Sequence, residues 1–148
     1  AAGATLLPEQ IVVDLAGTPT LLLHGDELCT ADLDYQRYRR FVRNPQYQRT
    51  FLAFPYSLRR GVASVLRSKS RASAAAKPES IMDVEQRAVE SAFRAAKVTR
   101  IIHGHTHRPA HHQLVVDGRE CERWVLADWY VRGSYLEFDD KGGRTREV

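Results

Sequence analysis

The sequence predicts an α/β fold, and three observations carry that expectation. Short apolar runs of strand character lie towards both ends of the chain, the middle stretch places its apolar residues at helical spacing, and two of the strand runs each end close to a histidine beside a glycine. The order of strands, helical block, helix and strands suggests a sandwich-like core with a helical insertion. At 148 residues and 43% hydrophobic composition the chain is long enough for one ordinary domain, and no apolar run is long enough to cross a bilayer. A net charge of +4 alongside 18 acidic residues is too moderate to imply nucleic acid, which is not expected as a partner; an anionic membrane surface or a phosphorylated ligand fits this charge. Cys29 and Cys121 show no CxxC spacing, so a reducing compartment is expected rather than a zinc ribbon or a redox motif. The first residues lack the basic and apolar segments of a signal peptide, and the absence of an initiating methionine suggests a fragment.

Taken in order, residues 11–15 and 20–23 read as two β-rich runs around the turn Ala16-Gly17-Thr18-Pro19, the second nearly all apolar as in a buried strand. From residue 32 to about 56 the pattern is helical. Tyr35, Tyr38, Phe41 and Val42 lie among Arg37, Arg39, Arg40 and Arg43, with a break at Asn44-Pro45 and a second piece holding Tyr47, Phe51 and Leu52. Residues 57–76 combine Leu58, Val62, Val65 and Leu66 with Arg59, Arg60, Arg67, Lys69 and Arg71, which predicts a basic amphipathic helix running into a polar loop. Ser80-Ile81-Met82-Asp83 has the form of a capping box, and Val84, Ala88, Ala92, Phe93 and Ala96 predict a core-packing helix over residues 81–97. Strands are expected at residues 99–102, 113–116, 123–126 and 134–138, with Asp117-Gly118 closing a hairpin.

The most informative stretch is Gly104-His105-Thr106-His107-Arg108-Pro109, delivered by Ile101-Ile102-His103. Two imidazoles one residue apart after a short strand can serve neighbouring metal positions, and the preceding glycine lets the backbone bend close to them. His24-Gly25-Asp26 repeats the arrangement at the end of another apolar run, so two strand ends can converge on one metal position.

These strings resemble the last two motifs of the calcineurin-like metallophosphoesterases. Their context, Leu23-His24-Gly25-Asp26-Glu27-Leu28-Cys29-Thr30, Ile81-Met82-Asp83-Val84 and Ile102-His103-Gly104-His105-Thr106-His107-Arg108-Pro109, resembles the branch of UDP-2,3-diacylglucosamine pyrophosphatases of the lipid A pathway. The resemblance runs from about residue 5 to residue 138. It implies the C-terminal part of a metallophosphoesterase sandwich, with a helical insertion at about residues 32–77 inside a single domain spanning 1–148. It further implies a Mn²⁺-dependent hydrolase that cleaves UDP-2,3-diacylglucosamine to UMP and the diacylated sugar 1-phosphate, through two metals that polarise phosphoryl oxygens and lower the pKa of a bound water. Carried over by position, His24 and His105 match ligands of one metal and His107 a ligand of the other; His105 also lies near substrate, and His103 matches no ligand. Asp32, Tyr35, Arg67, Ser70 and Lys77 match substrate-contact positions, while Ala74 stands where the family usually has Asn.

The family's earlier motifs, Asp-x-His, Gly-Asp-x-x-Asp and Gly-Asn-His/Arg-Asp, do not occur in this sequence. The expectation is therefore a chain that keeps three histidine ligands but not the bridging carboxylate, with an N-terminal segment missing and little or no activity alone, because two close cations repel without anionic ligands. A location in the cytoplasm, peripherally on the inner membrane, follows from the resemblance. The alternatives are a non-catalytic remnant that binds one metal or an anionic lipid surface, and a general metallophosphoesterase.

Overall fold

The computed structural model describes residues 3, 5–78, 81–130, 133–139 and 142–148. In chain order the elements are β1 (Gln10–Leu15), β2 (Thr18–Leu23), a single 3-10 turn (Asp26–Leu28), α1 (Leu33–Val42), α2 (Pro45–Ala53), α3 (Tyr56–Ala76), α4 (Gln86–Ala96), β3 (Arg100–His103), β4 (Ala110–Val116), β5 (Arg119–Val125), β6 (Ser134–Asp139) and β7 (Gly142–Glu147). The chain divides into two compact units, Ala1–Leu28 with Val84–Val148, and Cys29–Asp83. The α/β class expected from the sequence is observed.

The first unit is built on a five-stranded mixed sheet of order β1-β2-β3-β5-β4. β1 and β2 form an antiparallel hairpin whose two central residues, Ala16 and Gly17, have φ of 52° and 77°, the left-handed pair that matches strand twist in a two-residue turn. Asp117 and Gly118, at 51° and 77°, do the same between β4 and β5, as the sequence predicted. β2, β3 and β5 run parallel, and all four residues of β3 are buried, the apolar Ile101 and Ile102 at its centre and Arg100 and His103 at its ends. One face of the sheet is covered by α4, whose Val89 and Phe93 are each 1% exposed and join Leu21, Leu23, Leu28, Val98, Ile101, Val116 and Cys121 in the core. Burying a side chain such as Phe93 contributes about 1.5–3 kcal/mol, so this helix fastens the layer that carries the strand ends.

Two expectations for this unit need correction. The helix predicted over residues 81–97 begins only at Gln86. Its N-cap is Glu85, in extended conformation with no side-chain capping bond, and the Glu85 N–H goes to the Leu28 carbonyl at 2.9 Å rather than back to a preceding helical turn, which is why the helix starts late; Ser80 lies outside the described residues. The other correction is β7, which no apolar alternation announced. It pairs antiparallel with β6 and places Arg144 and Arg146 against Glu137 and Asp139. Gly143 faces Phe138 across this ribbon, where any Cβ would run into the Phe138 ring.

The second unit is helical. Asp32 and Asn44 cap α1 and α2, accepting from the Tyr35 and Gln46 N–H groups at 3.0 and 2.9 Å, and Pro45 occupies the first turn of α2, where its missing N–H costs nothing. Phe41 and Tyr47 stack across the break with ring centroids 4.6 Å apart. α3 is helical through Ala76, so the polar loop starts only after it, at Lys77; alanine and serine at 72–76 do not interrupt a helix already propagating. Among the described residues no helix is long and apolar enough to cross a membrane.

Candidate metal centre

Parallel pairing of β2 with β3 sets Leu23 opposite His103, so both strands end at one level and the residues that follow emerge side by side. The Gly104 N–H donates to the His24 carbonyl at 3.0 Å and extends the pairing by one step. From there His24 Nε2 and His105 Nδ1 approach to 3.2 Å, with ring centroids 5.0 Å apart. Two imidazole nitrogens bound at about 2.1 Å to one cation lie roughly 3.0–3.4 Å apart for right-angled to tetrahedral geometry, so this pair fits two adjacent corners of a coordination shell. Carboxyl ends of parallel strands are also where ligands collect in α/β sheets.

The loop backbone is unusual in the same place. His105 and His107 have φ of 68° and 53°, a left-handed conformation that non-glycine residues seldom adopt, and Thr106 between them donates its N–H to the Gly104 carbonyl at 2.8 Å. Burial lowers the His105 pKa, as do the fields of His24 and His107, against an opposing pull from Asp26. The neutral ring is the form that ligates metal. His107 does not join the His24–His105 pair: its Nδ1 faces Asp128 Oδ2 at 3.3 Å, and among the described residues no group of three or more His, Cys, Asp or Glu gathers as a metal cluster. The donors in this chain therefore fit part of a coordination shell.

His103 is fully buried, and burial first of all drives its pKa down to about 4, against a raising influence from the Gly104 carbonyl. Its Nδ1 lies 2.9 Å from that carbonyl, and the Arg123 guanidinium donates to its Nε2 at 2.9 Å. Both nitrogens are committed within the protein. Gly25 packs directly on this ring: with φ of 108°, a Cβ there would stand 2.7 Å from His103 Nδ1. The sequence placed the steric need for glycine at Gly104 instead. That expectation is corrected, because a Cβ on Gly104 meets only the His24 carbonyl oxygen at an ordinary 3.8 Å.

In the helical unit the structure joins Asp32 to Lys77, whose Nζ donates to the carboxylate at 2.5 Å. Burial alone would raise the Asp32 pKa, but the bonds from Lys77 and the Tyr35 N–H outweigh it and hold the carboxyl below its ordinary value. Tyr35 thus enters through its backbone. Arg67 and Ser70 sit three residues apart on the exposed α3 and are neighbours on its surface. The Ala74 side chain lies outside the described residues.

No protein-family model matches the chain. Curated proteins do. It is 51% identical over 141 residues to the UDP-2,3-diacylglucosamine hydrolase of Cellvibrio japonicus, a match covering 95% of this chain and 59% of that protein. It is 52% identical to the protein of that name from Nitrosococcus oceani (96% and 57%) and 49% identical to the one from Bordetella pertussis (96% and 57%). The chain is a relative of the UDP-2,3-diacylglucosamine hydrolases. It spans rather more than half the length of these relatives.

Against this UDP-2,3-diacylglucosamine hydrolase background, sequence reasoning singled out the histidines and missed their supports. Asp26, 2% exposed beside them, and Asp128 carry no metal-ligand pattern of their own in the sequence. A signal for Asp128 was present: it follows the apolar end of β5, as His24 follows that of β2, and β5 is a parallel neighbour of the strand that delivers the histidine loop.

Proposed function

We propose that this chain carries the histidine side of a Mn²⁺-dependent hydrolase site that cleaves the pyrophosphate of UDP-2,3-diacylglucosamine to UMP and 2,3-diacylglucosamine 1-phosphate, within a calcineurin-like metallophosphoesterase fold. The observation that carries this reading is the His24–His105 pair, 3.2 Å apart at the ends of two parallel strands, in a chain about half identical to hydrolases of that name. His24 and His105 would hold one ion, and His107 would contribute to a second. The chemistry that bound Mn²⁺ supplies is polarisation of the phosphoryl oxygens and a lowered pKa of bound water. His105 also faces the substrate phosphates, and in the helical unit Asp32, Tyr35, Arg67, Ser70 and Lys77 bind the lipid sugar, with Arg67 and Lys77 suited to phosphate.

Histidines are neutral ligands, and two cations a few ångström apart need carboxylates between them to offset their repulsion. We therefore place those carboxylates in a segment outside this sequence and expect the chain alone to bind at most one ion, with little or no turnover. The substrate and the basic α3 favour work on the cytoplasmic face of the inner membrane. The test is UMP release from UDP-2,3-diacylglucosamine in Mn²⁺, by the chain alone and after the segment bearing the carboxylate motifs is supplied. Absence of UMP from the completed protein would overturn the assignment, and greater activity on short water-soluble phosphodiesters would replace it with a general metallophosphoesterase.

A further inference from the structure

Asp128 lies where the pairing of β3 with β5 would carry it. The Leu126 N–H donates to the His103 carbonyl at 2.8 Å, continuing the parallel ladder past the end of β5, and two residues later Asp128 stands beside the loop that left β3. Its Oδ2 is 3.3 Å from His107 Nδ1, while its Oδ1 accepts the Tyr130 N–H at 3.4 Å, so the carboxylate is held from its own loop as it faces the ring. The Tyr130 ring lies over the same imidazole, with centroids 6.0 Å apart and an interplanar angle of 37°.

An ionised carboxylate only accepts hydrogen bonds, so a neutral His107 can bond to it only with its proton on Nδ1. That tautomer leaves the lone pair on Nε2, whereas a free imidazole side chain favours the proton on Nε2. We propose that Asp128 is a positioning residue for His107: it takes the Nδ1–H, fixes the ring in the left-handed loop and leaves Nε2 as the nitrogen offered to a divalent cation. The proposal rests on the reading of His107 as a metal ligand. A carboxylate partner of this kind changes metal affinity by roughly 10–100-fold in other metalloproteins.

The experiment separates the two ideas. Long-range ¹H–¹⁵N spectra of the labelled, metal-free protein, recorded above the pH at which the ring titrates, report which nitrogen bears the proton. His107 is expected as the Nδ1–H form, shifting towards Nε2–H in Asp128→Ala and returning in Asp128→Asn, whose amide oxygen can still accept. Mn²⁺ titration of the protein completed with the carboxylate-bearing segment, read at the second of its two ions, is then expected to show about 10–100-fold weaker binding for Asp128→Ala and recovery in Asp128→Asn. An Nε2–H tautomer in the unsubstituted protein overturns the proposal, and that spectrum needs no variant to fold. A tautomer unmoved by Asp128→Ala overturns it as well. If the tautomer follows Asp128 while His107→Ala leaves the affinity for the second Mn²⁺ of the completed protein unchanged, the hold of Asp128 on the ring is supported and the metal role of His107 is overturned.

Discussion

Arg100 donates to Glu122 at 2.5 Å across the adjacent parallel strands β3 and β5, at a register position where the two residues are direct partners. Glu122 also accepts from the Trp124 indole at 3.0 Å and faces His111 Nε2 at 2.9 Å, while Arg100 donates to the Leu15 carbonyl and lies 4.5 Å from the centre of the Phe138 ring. Burial alone would raise the Glu122 pKa, but the bonds from Arg100 and Trp124 outweigh it, and the net shift is downward. A carboxyl with a depressed folded-state pKa adds stability that is present above its unfolded value and is lost as pH falls through the folded one. Urea denaturation of Glu122→Gln should show a loss of about 1.5–3 kcal/mol near neutrality and a weaker decline towards acid than the unsubstituted chain. Parallel declines in the two proteins would refute this role for the carboxylate.

Gly25 and Gly104 should respond oppositely to the same change. Alanine at position 25 combines a φ of 108° with a Cβ 2.7 Å from His103 Nδ1, whereas at position 104 the nearest atom is 3.8 Å away. Gly25→Ala is expected to cost roughly 1–3 kcal/mol, and Gly104→Ala well under that. Thermal denaturation of the two variants side by side decides the matter, and equal midpoints would contradict the packing described.

The Asp32–Lys77 pair predicts coupling between two positions 45 residues apart in sequence. Asp32→Ala removes both the cap of α1 and the ion pair, for about 1–2 kcal/mol. Lys77→Ala alone should cost less, and the double variant should lose less than the sum of the two by about 0.5–1 kcal/mol. Strict additivity in a denaturation cycle would mean that the bond is not formed in solution.

α3 exposes Leu58 (49%) and Val65 (57%) along a helix that also carries Arg59, Arg60 and Arg71. If this helix meets an anionic membrane, sedimentation with phosphatidylserine vesicles should fall as salt rises, and reversing those three charges should remove roughly 1 kcal/mol of binding per residue. Binding insensitive to both would leave α3 without a membrane role.

Much of this structure was legible in the sequence because the signals were local. Ala16-Gly17 and Asp117-Gly118 mark turns through backbone conformations that few residues tolerate, and Asn44-Pro45 marks a helix boundary. The histidine motifs were visible because each stands at the end of a buried strand. What escaped was decided by partners distant in the chain. Residues 81–84 carry a helical pattern, but the Leu28 carbonyl takes the Glu85 N–H and the helix starts late. β7 is glycine and charge, and only its pairing with β6 makes it a strand. The roles of Gly25 and Asp128 depend on His103 and His107, which no local pattern connects to them.

The two imidazoles of the candidate centre are 81 residues apart in sequence, yet they meet because β2 and β3 are adjacent in one sheet. No local segment can assemble them, and the chain must close that loop before the pair exists. An ion bound there would therefore draw on the free energy of the central sheet itself. Cation affinity at His24 and His105 becomes a gauge of how completely the protein has folded.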